Sequence, residues 1–386
     1  MQTSLTRTLV FLSLVAAGCA SAQAQVHLTL TPHYNQTDAA DYPDSISIGA
    51  APNAHAVEVS INQAIAQVED LISDQYTFQI RFVDDETPGS LGSSVDTNST
   101  DLAYSQVLTD MGAELHKTAD FNTALADLPA GPGTGINSNA TQVSMAGANL
   151  IALGDQTDGR SAIQQNGGYI CTIGLNLSIM NITRTNIDPN KYDLISTVTH
   201  EVDEALGIGG QGSTLGNAAT DVGLLDLYRF SAKGVRSYST SANVSSYFSI
   251  NGGKTDLVHF NQLAGGDYSD WGDGVIPADG QGNTPAQVQD AFGGTSSQAE
   301  PDMGRNEAIA LNAVGWKMTA AGLALEGATV SPSSSSGVAT PAGITPALAT
   351  PGGITLTSVP EPGECVSLLL GGIALIGLQR RSRKTP

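Results

Sequence analysis

His200, Glu201 and Glu204 stand at a spacing that can activate water. On a helix, positions i and i+4 share a face, so His200 and Glu204 can grip one divalent cation. Glu201 lies about 100° round the axis from His200, able to reach a water on that cation without being a ligand. A hydrolytic zinc site needs three protein ligands, an open position for water and a base beside it. Two ligands and the base are thus in hand, and the third must come from another segment. Asp226 is the preferred third ligand, because an acid between Leu225 and Leu227 needs a partner. Asp221 is the second choice and His259 a further one, while the plain reading of Asp226 is an acid pairing Arg229 or capping a turn. Tyr228 suits either an oxyanion donor or, more simply, a packed aromatic. Asp267, Asp270 and Asp273 recur in a Gly-rich stretch without the spacing of a calcium loop, which reads as a solvated surface segment.

The elements that must position these residues show in the apolar periodicity. Leu194, Ile195 and Val198 lead into His200, so a helix is expected over Lys191–Leu206, stopped by Gly207. Ala54–Asp74 carries apolar residues at helical spacing, and Phe78, Ile80 and Phe82 alternate with polar residues over Tyr76–Val83 as a strand does. Leu102–Leu128 reads as one or two helices, Val143–Leu153 and Gly168–Ile179 as apolar strands, and Ala308–Trp316 as a last helix. The expected class is α+β, with a mixed sheet and the metal-bearing helix packed on it. Cys171 is expected to be a buried strand residue.

Composition narrows the function classes. The formal net charge is −21, and between Gln25 and Val359 only 11 basic side chains face 35 acidic ones. Such a body repels nucleic acid and anionic lipid, so nucleic-acid binding is excluded as an expectation. Residues 1–24 read as a signal peptide, with Arg7, an apolar run from Leu9 to Ala17, and small residues before a cut after Ala22 or Ala24. Cys19 gives a weaker hint of lipidation. Residues 25–325 hold the folded domain. Residues 326–358, rich in Ser, Thr, Pro, Ala and Gly, cannot bury enough surface to fold and read as a disordered linker. In residues 359–386, Val359-Pro-Glu-Pro362 precedes a short apolar run to Leu378 and then Arg380, Arg381, Arg383 and Lys384.

That last segment resembles the PEP-CTERM sorting signal of Gram-negative bacteria. The resemblance implies a short C-terminal membrane segment, transient anchoring through it, recognition and cleavage by an exosortase-type enzyme, and a host that makes exopolysaccharide. The octapeptide His200-Glu-Val-Asp-Glu-Ala-Leu-Gly207, with Leu225–Ser231, Tyr247–Thr255 and Gly266–Trp271, resembles a family of PEP-CTERM-associated metalloproteases with an H-E-x-x-E helix. That likeness spans about His200 to Trp316 and implies a zincin-like domain, with His200 and Glu204 as ligands and Glu201 as the base. The sequence departs from the metzincin pattern in one respect: Gly207 keeps the turn, but Gly210 stands where a third His would follow. The expected function is an exported, surface-sorted peptidase with zinc, or another divalent metal, acting on a peptide or protein substrate. It would lie in the cell envelope or on the surface, released after C-terminal processing. The competing expectation is a degenerate zincin-like matrix or binding protein of the exopolysaccharide layer.

Overall fold

Phe78, Ile80 and Phe82 point inward from a central strand that organises the main sheet. A computed structural model of the chain describes residues 27–87, 90–95, 99–114, 118–129, 142–215, 222–272, 286–295 and 301–327. The fold is α+β, and the described residues all belong to one unit that runs to Ser336. Strands β1 (Thr29–His33), β2 (Ile46–Ser47), β3 (Thr77–Asp84), β4 (Gly92–Val95), β5 (Thr100–Ala103), β6 (Gln142–Met145) and β7 (Cys171–Leu175) carry most of the pairing. The main sheet has the order β1-β3-β7-β4, with β2 also paired to β3. β1, β3 and β7 run parallel, whereas β2 and β4 are antiparallel to their neighbours, so the sheet is mixed. β5 and β6 form a second sheet with Val222–Gly223. A third sheet joins Arg229–Ala232 to Val235–Arg236, Tyr247–Phe248 and Val258–His259.

Eight α-helices lie among the described residues: α1 (Ala54–Glu69), α2 (Tyr104–Ala113), α3 (Ala119–Asp127), α4 (Gly147–Ala152), α5 (Gln156–Gln165), α6 (Leu194–Ala205), α7 (Arg305–Ala313) and α8 (Ala320–Glu326). α1 and α6 pack on each other, and α6 also lies against β4 and β7. No helix among the described residues is long and apolar enough to cross a membrane. The expected signal peptide, PEP-CTERM segment and nearly all of the expected linker lie outside the described residues.

Most of the periodic segments take their expected form, with two local differences, at Val143–Leu153 and at Trp316. The Leu102–Leu128 pattern is two helices, α2 and α3. Val143–Leu153 is a strand only to Met145 and then turns into α4, every residue of which is buried. A short fully buried helix and a buried strand show the same unbroken apolar run, so periodicity does not separate them. Trp316 falls beyond the end of α7 and is buried, donating from Nε1 to the Leu206 carbonyl at 2.8 Å. Cys171 is a fully buried residue of β7.

The helix that matters starts three residues later than its apolar pattern. Asp193 caps it, accepting from the Ile195 and Ser196 amides at 2.9 and 3.3 Å, which satisfies two donors the first turn leaves open. At the other end Gly207 takes φ of 90°. Its amide donates to the Glu204 carbonyl at 2.8 Å, and that of Ile208 to the Asp203 carbonyl at 3.2 Å. This is a Schellman closure, which needs a left-handed residue at that place. The Asn149 amide also packs where a Cβ on Gly207 would lie. Gly207→Ala is therefore expected to cost about 2 kcal/mol, measured by denaturant unfolding of the wild-type and variant chains.

Candidate metal centre

Three ligand-type atoms, one each from His200, Glu204 and Asp270, lie within 4.8 Å of one another. The first two come from one face of α6, as the i, i+4 spacing requires. His200 Nε2 stands 3.4 Å from Glu204 Oε1 and 3.7 Å from Asp270 Oδ2. Nδ1 of the same ring is 3.0 Å from the Val288 carbonyl. A carbonyl can only accept, so that contact puts a proton on Nδ1 and turns Nε2 toward the two acids. Ser94 of β4 donates to Glu204 Oε2 at 2.6 Å, and the Gly210 amide donates to Oε1 at 3.0 Å. Gly210 has to be small: a Cβ there would come within 2.5 Å of Glu204 Oε1 and 2.7 Å of Asp267 Oδ2.

Asp270 is held by a loop that closes back on α6. Its main-chain carbonyl accepts from the Asn261 amide at 2.8 Å, and Asn261 Nδ2 donates to the Asp267 carbonyl at 3.1 Å. Ser269 donates to the Gly209 carbonyl just past the helix. The next residue, Trp271, donates from Nε1 to Glu307 of α7 at 2.9 Å. Gln289 completes the arrangement, its Nε2 3.1 Å from Asp270 Oδ1 and 3.3 Å from His200 Nε2. Asp267 is exposed at the rim, and its carboxyl is pushed up to about 6 by partial burial and then by the charge of Glu204.

The electrostatics of this cluster are those of an anion-rich pocket. Burial works against charge on the His200 ring, but Asp270, Glu204 and Glu201 outweigh it and raise its pKa well above the ordinary value. Burial raises Glu201 well above the usual carboxylate range, and the nearby Glu204 adds to that. Burial raises Asp270 in the same way, opposed in part by His200. Burial would also raise Glu204, yet hydrogen bonding with His200, the His200 charge, Ser94 and the Gly210 amide pull it below the ordinary value. One imidazole cannot neutralise Glu201, Glu204 and Asp270 together. A set of buried acids with a single basic partner fits a divalent cation, because unpaired buried charge is otherwise costly. Glu201 strengthens the fit: it is 4% exposed, and its Oε2 is buried without a hydrogen-bond partner among the described residues. Its other oxygen lies against Gly92 of β4.

Of the residues singled out from sequence, His200, Glu201 and Glu204 are brought together. Asp226 is not in the group: its carboxylate is fully buried and committed elsewhere. Oδ1 accepts from Ser213 at 2.8 Å, and Oδ2 accepts from the Gly223 and Thr214 amides at 3.0 and 3.3 Å. Burial pushes its carboxyl up to about 6, against the pull of the nearby Arg229 charge. The premise that an acid between two leucines needs a partner holds, but the partners are a hydroxyl and two main-chain amides, with the Arg229 charge nearby. Arg229, fully buried over the Phe260 ring, donates to the Tyr268 carbonyl, between Asp267 and Asp270. Asp226 thus bears on the site through Arg229 and the loop that carries Asp270.

His259 pairs with Asp256 at 2.9 Å and is not in the group either. Tyr228 is packed and fully buried, its hydroxyl donating to the Ala313 carbonyl at 3.3 Å. Asp221 and Asp273 lie outside the described residues. Sequence reasoning missed Asp270 as a partner of His200, and it missed Gln289 entirely. A signal for Asp270 was available in Trp271 directly after it, since a large apolar residue beside an acid argues against a wholly solvated loop. Comparison with family models, with curated proteins and with solved structures finds no match to this chain.

The two acids are expected to fail in different ways. Asp226→Ala leaves three donors without their acceptor and the buried Arg229 without its nearby opposite charge, and should cost about 3 kcal/mol in denaturant unfolding. It should still bind one metal equivalent when folded. Asp270→Ala should unfold near the wild-type denaturant midpoint in chelator and lose the bound metal by elemental analysis.

Proposed function

We propose that this chain is a metal-dependent peptidase with a zincin-like domain, using His200, Glu204 and Asp270 as metal ligands and Glu201 as general base. The observation that carries the reading is the buried Glu201 carboxyl, one residue from a ligand and beside a cluster with cation-binding chemistry. Zinc is the cation we assign, with manganese or calcium as substitutes favoured by the oxygen-rich donors. Such an ion would supply an acidified water and polarise the carbonyl it meets.

The chain's own groups do the rest. Glu201, raised by burial and by Glu204, is suited to take a proton from water and return it to the leaving amine. Val288 fixes the His200 tautomer, and Ser94 with the Gly210 amide fixes the Glu204 carboxylate, so both ligands are orientated before substrate arrives. β4 pairs with β7 on one side, packs beside α6 and brings Gly92 against Glu201. An extended peptide added along its other side would pass the base. We also assign export, sorting through the PEP-CTERM segment and handling by an exosortase-type enzyme, all on the strength of the sequence.

A second reading has specific support. Glu201 is buried against β4, close to the Glu204 charge and with its Oε2 lacking a hydrogen-bond partner among the described residues, an arrangement that also suits a metal-bearing but inert matrix or binding protein. The full chain, with metal content measured, separates the two on a mixed fluorogenic peptide library. Cleavage should stop on chelation, return with zinc, and fall about 10²–10⁴-fold in Glu201→Gln with the metal retained. Metal-loaded wild type that cleaves no peptide would favour the inert reading, and equal rates in wild type and Glu201→Gln would remove the base.

A further inference from the structure

The side-chain amide of Gln289 faces two of the three ligand atoms. Its Nε2 stands 3.3 Å from His200 Nε2 and 3.1 Å from Asp270 Oδ1, so its N–H groups occupy the side from which a cation would be approached. The residue is fully buried, and its Oε1 is a buried atom with no hydrogen-bond partner among the described residues. A buried amide oxygen left without a donor is costly, by about 1–3 kcal/mol. The backbone leaves this side chain little freedom to withdraw. The Val288 carbonyl is bonded to His200 Nδ1, and the Gln289 carbonyl accepts from the Trp271 amide at 2.8 Å. Residues 288 and 289 therefore bracket the His200 ring, one at each nitrogen.

Resting on the metal reading above, we infer that Gln289 is a fourth protein donor to the same cation, through Oε1. N–H groups directed at a cation are repelled by it, whereas the carbonyl end of the amide is attracted. The two ends of a glutamine amide are nearly the same size, so turning it over exchanges them without disturbing the packing. That rotation gives the orphaned oxygen a partner and removes the N–H groups from the side of the ion. The resulting donors are one nitrogen and three oxygens, a set that tolerates manganese or calcium as well as zinc.

The full chain, stripped by chelator, tests this with Co²⁺ and Zn²⁺ alone, using visible absorption of the Co²⁺ form and competition against a chromophoric chelator. Gln289→Ala is expected to weaken both metals about 10–100-fold and to shift the Co²⁺ absorption. Gln289→Glu, which keeps the oxygen and the size, is expected to bind at least as tightly as wild type. Unchanged affinity and spectrum in Gln289→Ala would overturn the inference. So would weakening in Gln289→Glu as large as in Gln289→Ala, because that pattern belongs to a side chain acting only as an N–H donor to Asp270. Melting of both variants in chelator checks their folding, and Gln289→Glu decides the matter if the alanine variant does not fold. Wild type that binds neither metal would sink the metal centre itself, an outcome distinct from either of these.

Discussion

The structure is organised around one electrostatic problem: several carboxyl groups are buried beside a single imidazole. Two like charges about 4 Å apart repel by about 4 kcal/mol at the effective dielectric of a protein interior. Nothing in the apolar core offsets that, so the surrounding frame has to hold the acids in place by other means. The Asp193 cap and the Schellman closure at Gly207 fix the two ends of α6, and with them the directions of His200, Glu201 and Glu204. Trp316 bonds the last carbonyl of that helix from a part of the chain beyond α7. Helix, cap and clamp together remove the freedom the acids would otherwise use to move apart.

The segment that carries Asp270 is held by the buried Arg229 guanidinium rather than by a helix. Arg229 is buried with its guanidinium over Phe260 and bonded to the Tyr268 carbonyl, which fixes the loop on either side of it. Burial lowers the Arg229 pKa to about 10, so it remains charged at neutral pH, and the Asp226 charge helps to keep it so. The loop that carries Asp270 is therefore pinned by a buried charge, whose nearby acid is itself held by hydrogen bonds from Ser213 and the main chain. A chain of dependence runs from Asp226 through Arg229 to Asp270. Only its last member bears on the cluster.

How much of this could be read from residues alone follows from where each partner sits. His200, Glu201 and Glu204 were legible because a helix converts sequence spacing into geometry, and Gly207 marks its end. β3 was legible from Phe78, Ile80 and Phe82 for the same reason at period two. Asp226 drew attention correctly as a buried acid, but local sequence does not say whether its partner is an ion, an amide or an arginine. Asp270 stands in a segment without periodicity, so its position depends on bonds to Asn261, Gly209 and Arg229 that no spacing encodes. Gln289 carries no charge and matches no motif, and only its backbone neighbour at Val288 brings it to the ring. The α4 segment escaped for a different reason, since a wholly buried helix has no polar face to give a period.

The pieces of the site lie far apart along the chain. Ser94 reaches Glu204 across 110 residues, and Val288 reaches His200 across 88. Each such meeting is a loop closed at an entropic cost that only the finished core repays. His200 and Glu204 come together as soon as α6 winds, yet that pair lacks the acid and the oriented ring that would hold an ion firmly. An ion that recognises the complete set binds the native chain and hardly any partly folded form, so it adds stability by mass action at the last step of assembly. A cation so bound would be a keystone, set after the arch is built, and its supply would govern how long the arch stands rather than whether it can be raised.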